Sequence, residues 1–277
     1  MNDRAADVYT FGTTPDAAHR LALLADLFAP PTRDLLARCV PPDAARPVRH
    51  AVDLGCGPGH TTRLLHAATG AARTTGVERS AEFLALARRE LSDGGSEGGS
   101  DDGSDGVTYV EADATRAPLP VDPADVVHAR FLLTHLAAPV EALRTWAGAL
   151  ADGGRLVLHE VAALDSADPV LHRYYGLVAD LQRHHGQALD IGDRLGALGA
   201  AAGLTVEHAA VVAWQPDTAR MAALHVINLR TWRHDPYITG STDPADLDAL
   251  DAGLVEIARG RPCAPVEQSL GEAVLTL

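Results

Sequence analysis

The stretch VRHAVDLGCGPGHTTRLL, Val48 to Leu65, decides how the chain is read. An apolar run enters a turn with glycine at every second position, Gly55, Gly57 and Gly59, and a helix-like segment follows. Glycines in this pattern let the backbone pass close beneath a small ligand, because side chains are excluded there. Pro58 opens the next segment, and a helix N-terminus presents free N–H groups. A dinucleotide fold requires G-x-G-x-x-G, whereas the sixth position here is His60. The turn therefore argues against a nicotinamide cofactor and for a different nucleotide-like one.

Downstream the same rhythm repeats. Apolar runs at 48–54, 74–78, 107–111, 124–129 and 154–160 alternate with helical segments near 58–69, 80–91 and 139–151. Such alternation predicts a parallel sheet with helices on both faces. Residues 1–40 read as an N-terminal helical cap, with Thr14 as N-cap, Pro15 at the first helical position, and Leu21, Leu24 and Phe28 on one face. Residues 41–277 read as the main domain, with helical insertions at about 165–190 and 215–262. The second insertion divides into helices at 217–234 and 243–259, DIGDRLGALGAAAGL reads as an amphipathic helix, and LTVEHAAVVAW and LGEAVLTL as strands. Ser92 to Gly106, SDGGSEGGSDDGSDG, holds no apolar residue and predicts a solvated loop.

VDLGCGPGH resembles motif I of the class I S-adenosylmethionine-dependent methyltransferases, in their small-molecule branch. The next strand, RTTGVE, ends in Glu78, 23 residues after Gly55, where a carboxylate can accept hydrogen bonds from a ribose diol. VTYVEADA ends in Asp113 and Ala114, where the family binds the adenine amino group and ring nitrogen. ADVVHARFLLTHL resembles the segment passing over the methionine part of the cofactor, and LADGGRLVLHE the turn into strand five, with Asp152 in place of the family's proline. The likeness runs from Val48 to Glu160, and YTFG with Arg20-Leu21 also resembles small-molecule members.

This resemblance implies a Rossmann-like α/β fold, a seven-stranded mostly parallel sheet with helices on both faces and a helical lid. It implies S-adenosyl-L-methionine as cofactor and S-adenosyl-L-homocysteine as product. The residues it assigns to the cofactor are Asp53, Gly55, Cys56, Gly57, Glu78, Arg79, Asp113, Ala114 and Arg130; Cys56 reads as a small filler of the turn rather than a nucleophile. The implied reaction is in-line displacement at a sulfonium methyl, without a metal. The protein must orient a nucleophile, exclude water and sometimes take a proton. His135 and Glu160 fall near strand ends, where open α/β sheets bind ligands, and are the candidate catalytic residues. His135 has two readings, a structural cap of its turn or a neutral imidazole base. His128 and His159 read as satisfied buried residues. Tyr174, Tyr175, His184 and His185 supply lid candidates, as do His225, Asn228, Arg230, Trp232 and His234, while Trp214 and Trp232 are candidates to line an apolar pocket.

O-methylation of a small specialised metabolite is the first expectation, with N- and C-methylation behind it. A cyclase or isomerase that keeps the cofactor on the same shell is the alternative. The 23 basic residues are all arginine, the signature of a GC-rich genome, and the net charge is −14. An acidic chain without basic clusters argues against nucleic-acid or anionic-membrane partners. Neither a signal peptide nor an 18-residue apolar run is visible, and three scattered cysteines give no disulfide or zinc pattern. The expectation is a cytoplasmic enzyme with a small-molecule substrate and no metal, with a homodimer left open.

Overall fold

A computed structural model describes residues 15–40, 46–93 and 106–277. The Thr14 cap, the YTFG segment and most of the 92–106 stretch lie outside the described residues.

Seven strands make one sheet: β1 (His50–Leu54), β2 (Arg73–Glu78), β3 (Val107–Glu111), β4 (Ala124–Arg130), β5 (Leu150–Asp165), β6 (Thr205–Trp214) and β7 (Glu267–Thr276). Their order is β3-β2-β1-β4-β5-β7-β6. The first five run parallel, and β7 is inserted antiparallel between β5 and β6. This is the Rossmann-like, mostly parallel seven-stranded sheet that the family resemblance implies, and the alternation accounts for its parallel strands. Strand β5 starts earlier than the apolar run, because Leu150 pairs with Ala124 before the AspGlyGly bulge brings Arg155 beside Val126.

Strand side chains alternate between faces, and this parity places the site residues that lie within strands. Ala51, Val126 and Val157 turn to one face, packed by Leu35 and Leu36 of α1 (Pro15–Cys39) and Leu65 of α2 (His60–Thr69). Val52, Leu54, Val127, Leu156 and Leu158 turn to the other, packed by Trp146 of α4 (Pro139–Ala147) and Leu195 of α6 (Leu195–Ala201). Helix α3 (Ala81–Asp93) covers β2 and β3 through Leu84 and Ala87.

The cap is a separate apolar cluster. Helices α5 (Pro169–His184), α7 (Thr218–Trp232), α8 (Pro236–Ser241) and α9 (Pro244–Ala258) pack around Tyr174, Leu229, Trp232 and Leu254, joined by Leu27 and Phe28 of α1. Three of these helices begin at Asp-Pro: Asp168, Asp235 and Asp243 accept the amides of Val170, Tyr237 and Ala245 while proline occupies the first helical position. Helix α8, six residues long, is too short for periodicity to separate it from its neighbours. Helix α1 continues through Pro30 and Pro31, and the Thr32 hydroxyl donates to the Phe28 carbonyl just beyond them. Among the described residues, no helix is long and apolar enough to cross a membrane.

Candidate active site

A cleft opens beyond the C-terminal ends of β1, β2, β3 and β4, roofed by α1 through Arg20, Leu21, Leu24 and Ala25. The glycine turn forms its floor. Gly55, Gly57 and Gly59 all hold left-handed backbones, with φ of 65°, 52° and 83°, which L side chains rarely adopt. Leu132 lies over Gly55 and Leu21 over Gly57, so the turn is enclosed from both sides.

Glu78 ends β2 against this turn. One of its oxygens accepts the amides of Arg79 and Ser80, both at 2.9 Å, and the other accepts Gly57 N–H at 3.1 Å. Three backbone donors thus fix the carboxylate, and acceptor capacity remains on Oε2. Asp113, at the end of β3, accepts the amide and hydroxyl of Thr115 at 2.9 and 2.7 Å. Burial alone would raise its carboxyl, but Thr115, Arg116 and Arg79 hold it below the usual carboxylate range. Gly55, Cys56, Gly57, Glu78, Arg79, Asp113, Ala114, Arg130 and His135 all line the cleft.

Two predicted site residues lie elsewhere, and strand parity explains both. Asp53 is buried on the α1/α2 face, where its oxygens meet the Thr62 hydroxyl at 2.9 Å and His128 Nδ1 at 3.0 Å. It ties α2 and β4 to β1 from behind the turn rather than facing the cleft. Glu160 shares the parity of Leu156 and Leu158 and points into the opposite face, fully buried. Its Oε1 accepts the amides of Leu132 and Leu133 at 2.9 and 2.7 Å, so it braces the turn after β4 and does not line the cleft. Burial pushes this carboxyl up to about 8, against the opposing pull of the Leu133, Leu132 and Thr134 amides.

That gives a stability prediction. The raised pKa means the folded protein keeps a proton on Glu160 that the unfolded chain loses above about pH 4.3, so this contribution falls as pH rises from there to about 8. The wild type should lose up to ~1.4 kcal/mol per pH unit relative to Glu160→Gln across that window, measured by urea denaturation. Parallel stability-against-pH curves for the two proteins would contradict the assignment.

The turn itself carries the site's strained residue. Phe131 has φ 53°, the one non-glycine residue with positive φ among those described. Its amide donates to His159 O at 2.9 Å and its ring meets Phe28 edge-on at 4.9 Å. No sequence signal marks this position, because phenylalanine is not a residue that favours the left-handed region. Thr134 closes the turn on its other side, with its hydroxyl donating to Ala188 O at 2.5 Å. His135 follows on the cleft wall. Burial lowers its imidazole to about 4, helped by the Arg20 charge and opposed by a hydrogen bond with Gln187.

The other aromatic and histidine candidates are used inside the cap. Tyr174 stacks on His225 at 4.3 Å, Tyr175 Oη sits 3.0 Å from His225 Nε2, and His184 stacks on Tyr237 at 4.3 Å. Trp232 is buried in the same core and Trp214 packs against it, so neither lines the cleft. Arg230 forks onto Asp251 and His185 meets Asp235. No group of three or more potential metal ligands occurs among the described residues.

The sheet order and the cleft define a Rossmann-like α/β domain with a ligand site beyond the ends of β1 to β4. Residues 52–158 match the family model described as a methyltransferase domain. The chain is 34% identical over 151 residues to a trans-aconitate 2-methyltransferase of Streptomyces avermitilis, covering 54% of this chain and 52% of that one. It is 39% identical over 107 residues to a trans-aconitate 2-methyltransferase of Klebsiella pneumoniae, covering 39% of this chain and 35% of that one. The alignments therefore span about half, or less, of these relatives' lengths. The cyclopropane synthase MmaA2 from Mycobacterium tuberculosis superposes with a TM-score of 0.59 over 100% of both chains at 16% identity, a likeness of fold.

Proposed function

We propose that this protein transfers the methyl group of S-adenosylmethionine to a carboxylate oxygen of a small organic acid. The observation that carries the reading is the cleft: a ligand-admitting glycine turn, a carboxylate at the end of each of the next two strands, and an imidazole of suppressed basicity. Glu78 would hold the ribose hydroxyls, and Asp113 with the backbone at Ala114 the adenine. When bound, the cofactor supplies an electrophilic methyl group on a good leaving thioether.

The chain's own task is then orientation and exclusion of water. Leu21, Leu24 and Phe131 close the cleft with apolar surface, and Glu160 fixes the turn that carries Phe131 and His135. A base with pKa of about 4 is poorly matched to deprotonating a phenol or amine near pH 7. A carboxylic acid needs no base, since it is already ionised there. The name of the relatives agrees with an acid acceptor, and the specialised-metabolite expectation is narrowed here to acceptors that carry a carboxylate. No observation favours the cyclase alternative.

The test is transfer of label from methyl-labelled S-adenosylmethionine to trans-aconitate and related acids. The expected result is a labelled ester, base-labile, with equimolar S-adenosylhomocysteine. The rate should be flat between about pH 6 and 8, because neither a carboxylate acceptor nor His135 titrates in that window. Label appearing only on phenol or amine acceptors, with a rate rising through that range, would replace this reading.

A further inference from the structure

Arg20 stands in the roof of the cleft, one position before the Leu21 that lies over Gly57. It is 3% exposed, so its guanidinium is enclosed by protein. Its charge is felt on two sides. It helps lower the His135 imidazole on the cleft wall, and in the cap it opposes the rise that burial imposes on the Tyr174 hydroxyl. Arg20 therefore sits where cleft and cap meet, a junction that Leu24 and Phe131 share by lining the one and packing on the other. In a chain of net charge −14, the described cleft lining holds three arginines, Arg20, Arg79 and Arg130, against two carboxylates, Glu78 and Asp113. Such a local excess of positive charge draws an anion into a cleft. The family resemblance gives Arg79 and Arg130 to the cofactor and leaves Arg20 to the other ligand.

We propose that the acceptor carries at least two carboxylates and that Arg20 receives the one that is not methylated. The inference rests on the proposed transfer to a carboxylate oxygen. A guanidinium forks onto a carboxylate through two parallel hydrogen bonds and occupies both of its oxygens. The reacting oxygen must instead keep a lone pair directed at the methyl group, so the forked carboxylate is the one that stays unchanged. Holding the acid at this second point orients the first, which is the task the reaction sets the protein. A monocarboxylate has no second charge to give Arg20. The residue therefore selects di- and tricarboxylates over acids with a single carboxylate.

Calorimetry on the S-adenosylhomocysteine complex compares trans-aconitate, with three carboxylates, and crotonate, with one, in wild type and Arg20→Gln. Wild type should bind trans-aconitate at least tenfold tighter than crotonate. Arg20→Gln should bring the two acids within twofold of each other, with S-adenosylhomocysteine affinity within twofold of wild type. The subsite is wrong if wild type shows no preference or if Arg20→Gln keeps at least half of it. It is also wrong if S-adenosylhomocysteine affinity falls tenfold in the variant, which would give Arg20 to the cofactor. Should Arg20→Gln not fold, Arg20→Lys is read in the same way, since it keeps the charge and loses the fork; it should lose at least threefold of the preference. Methyl transfer is scored separately. A preference that depends on Arg20, with no labelled ester formed from either acid, overturns the proposed reaction and leaves a carboxylate subsite. Labelled ester without that preference overturns the subsite alone.

Discussion

Gly57→Val is expected to abolish cofactor binding while leaving a folded protein. Gly57 holds φ 52° in the middle of the turn, and a β-branched residue there is a genuine outlier. The backbone strain is about 1–3 kcal/mol if the turn keeps its shape. The remaining effect is steric. A Cβ on Gly57 would stand 3.4 Å from Leu21 Cδ1, so the valine branches are left between the α1 roof and the cleft. If the turn instead relaxes, Gly57 N–H leaves Glu78, and the carboxylate proposed to hold the ribose loses one of its three fixing donors. Both routes lead to the same readout. Affinity for S-adenosylhomocysteine should fall at least about 100-fold, or about 2.7 kcal/mol, by calorimetry. Binding within twofold of wild type would mean that the ligand does not sit on this turn.

Gly271→Ala should be the most damaging glycine-to-alanine change among the described residues. Gly271 pairs with Glu160 across β5 and β7, and the 3-10 turn Ile191–Arg194 crosses directly over it. An added Cβ would lie 2.0 Å from the Gly192 carbonyl oxygen and 2.3 Å from its carbon. The obstacle is backbone, which cannot rotate away as a side chain would. Gly192 is itself pressed on β5, with its own Cβ position 2.7 Å from Val161 O, so the crossing cannot slide in compensation. The expected loss is about 3–5 kcal/mol in urea denaturation, with a Tm about 10 °C lower. Displacing the crossing also loosens Ala188, which holds Thr134 in the turn after β4 through two hydrogen bonds. Catalytic rate should therefore drop at temperatures where the variant is still folded. A stability change under about 1 kcal/mol would show that the crossing is looser than described.

The parts of the site that sequence made legible are those set by the backbone or by the end of a strand. Three alternating glycines demand left-handed conformations whatever surrounds them, and Glu78 and Asp113 end strands whose boundaries follow from the apolar runs. Asp53 and Glu160 needed something the linear pattern does not carry. Both lie inside strands buried on both faces, where continuous apolar runs erase the alternation that would say which way a side chain points. Only the pairing of Ala51 with Val126, and of Val126 with Arg155, assigns each parity to a helix layer. The α1 roof is half legible: periodicity puts Leu21 and Leu24 on one face, but what that face covers is decided by long-range contact. The cap histidines and tyrosines were legible as a lid and not as a core, because aromatic residues with polar tips suit both.

The most direct measurement of the central claim is titration of the wild-type protein with S-adenosylhomocysteine, alongside Glu78→Ala. The account predicts saturable one-to-one binding to the wild type and at least about tenfold weaker binding, or about 1.4 kcal/mol, once the Glu78 carboxylate is removed. No saturable binding to the wild type, or equal affinity in the two proteins, would contradict it.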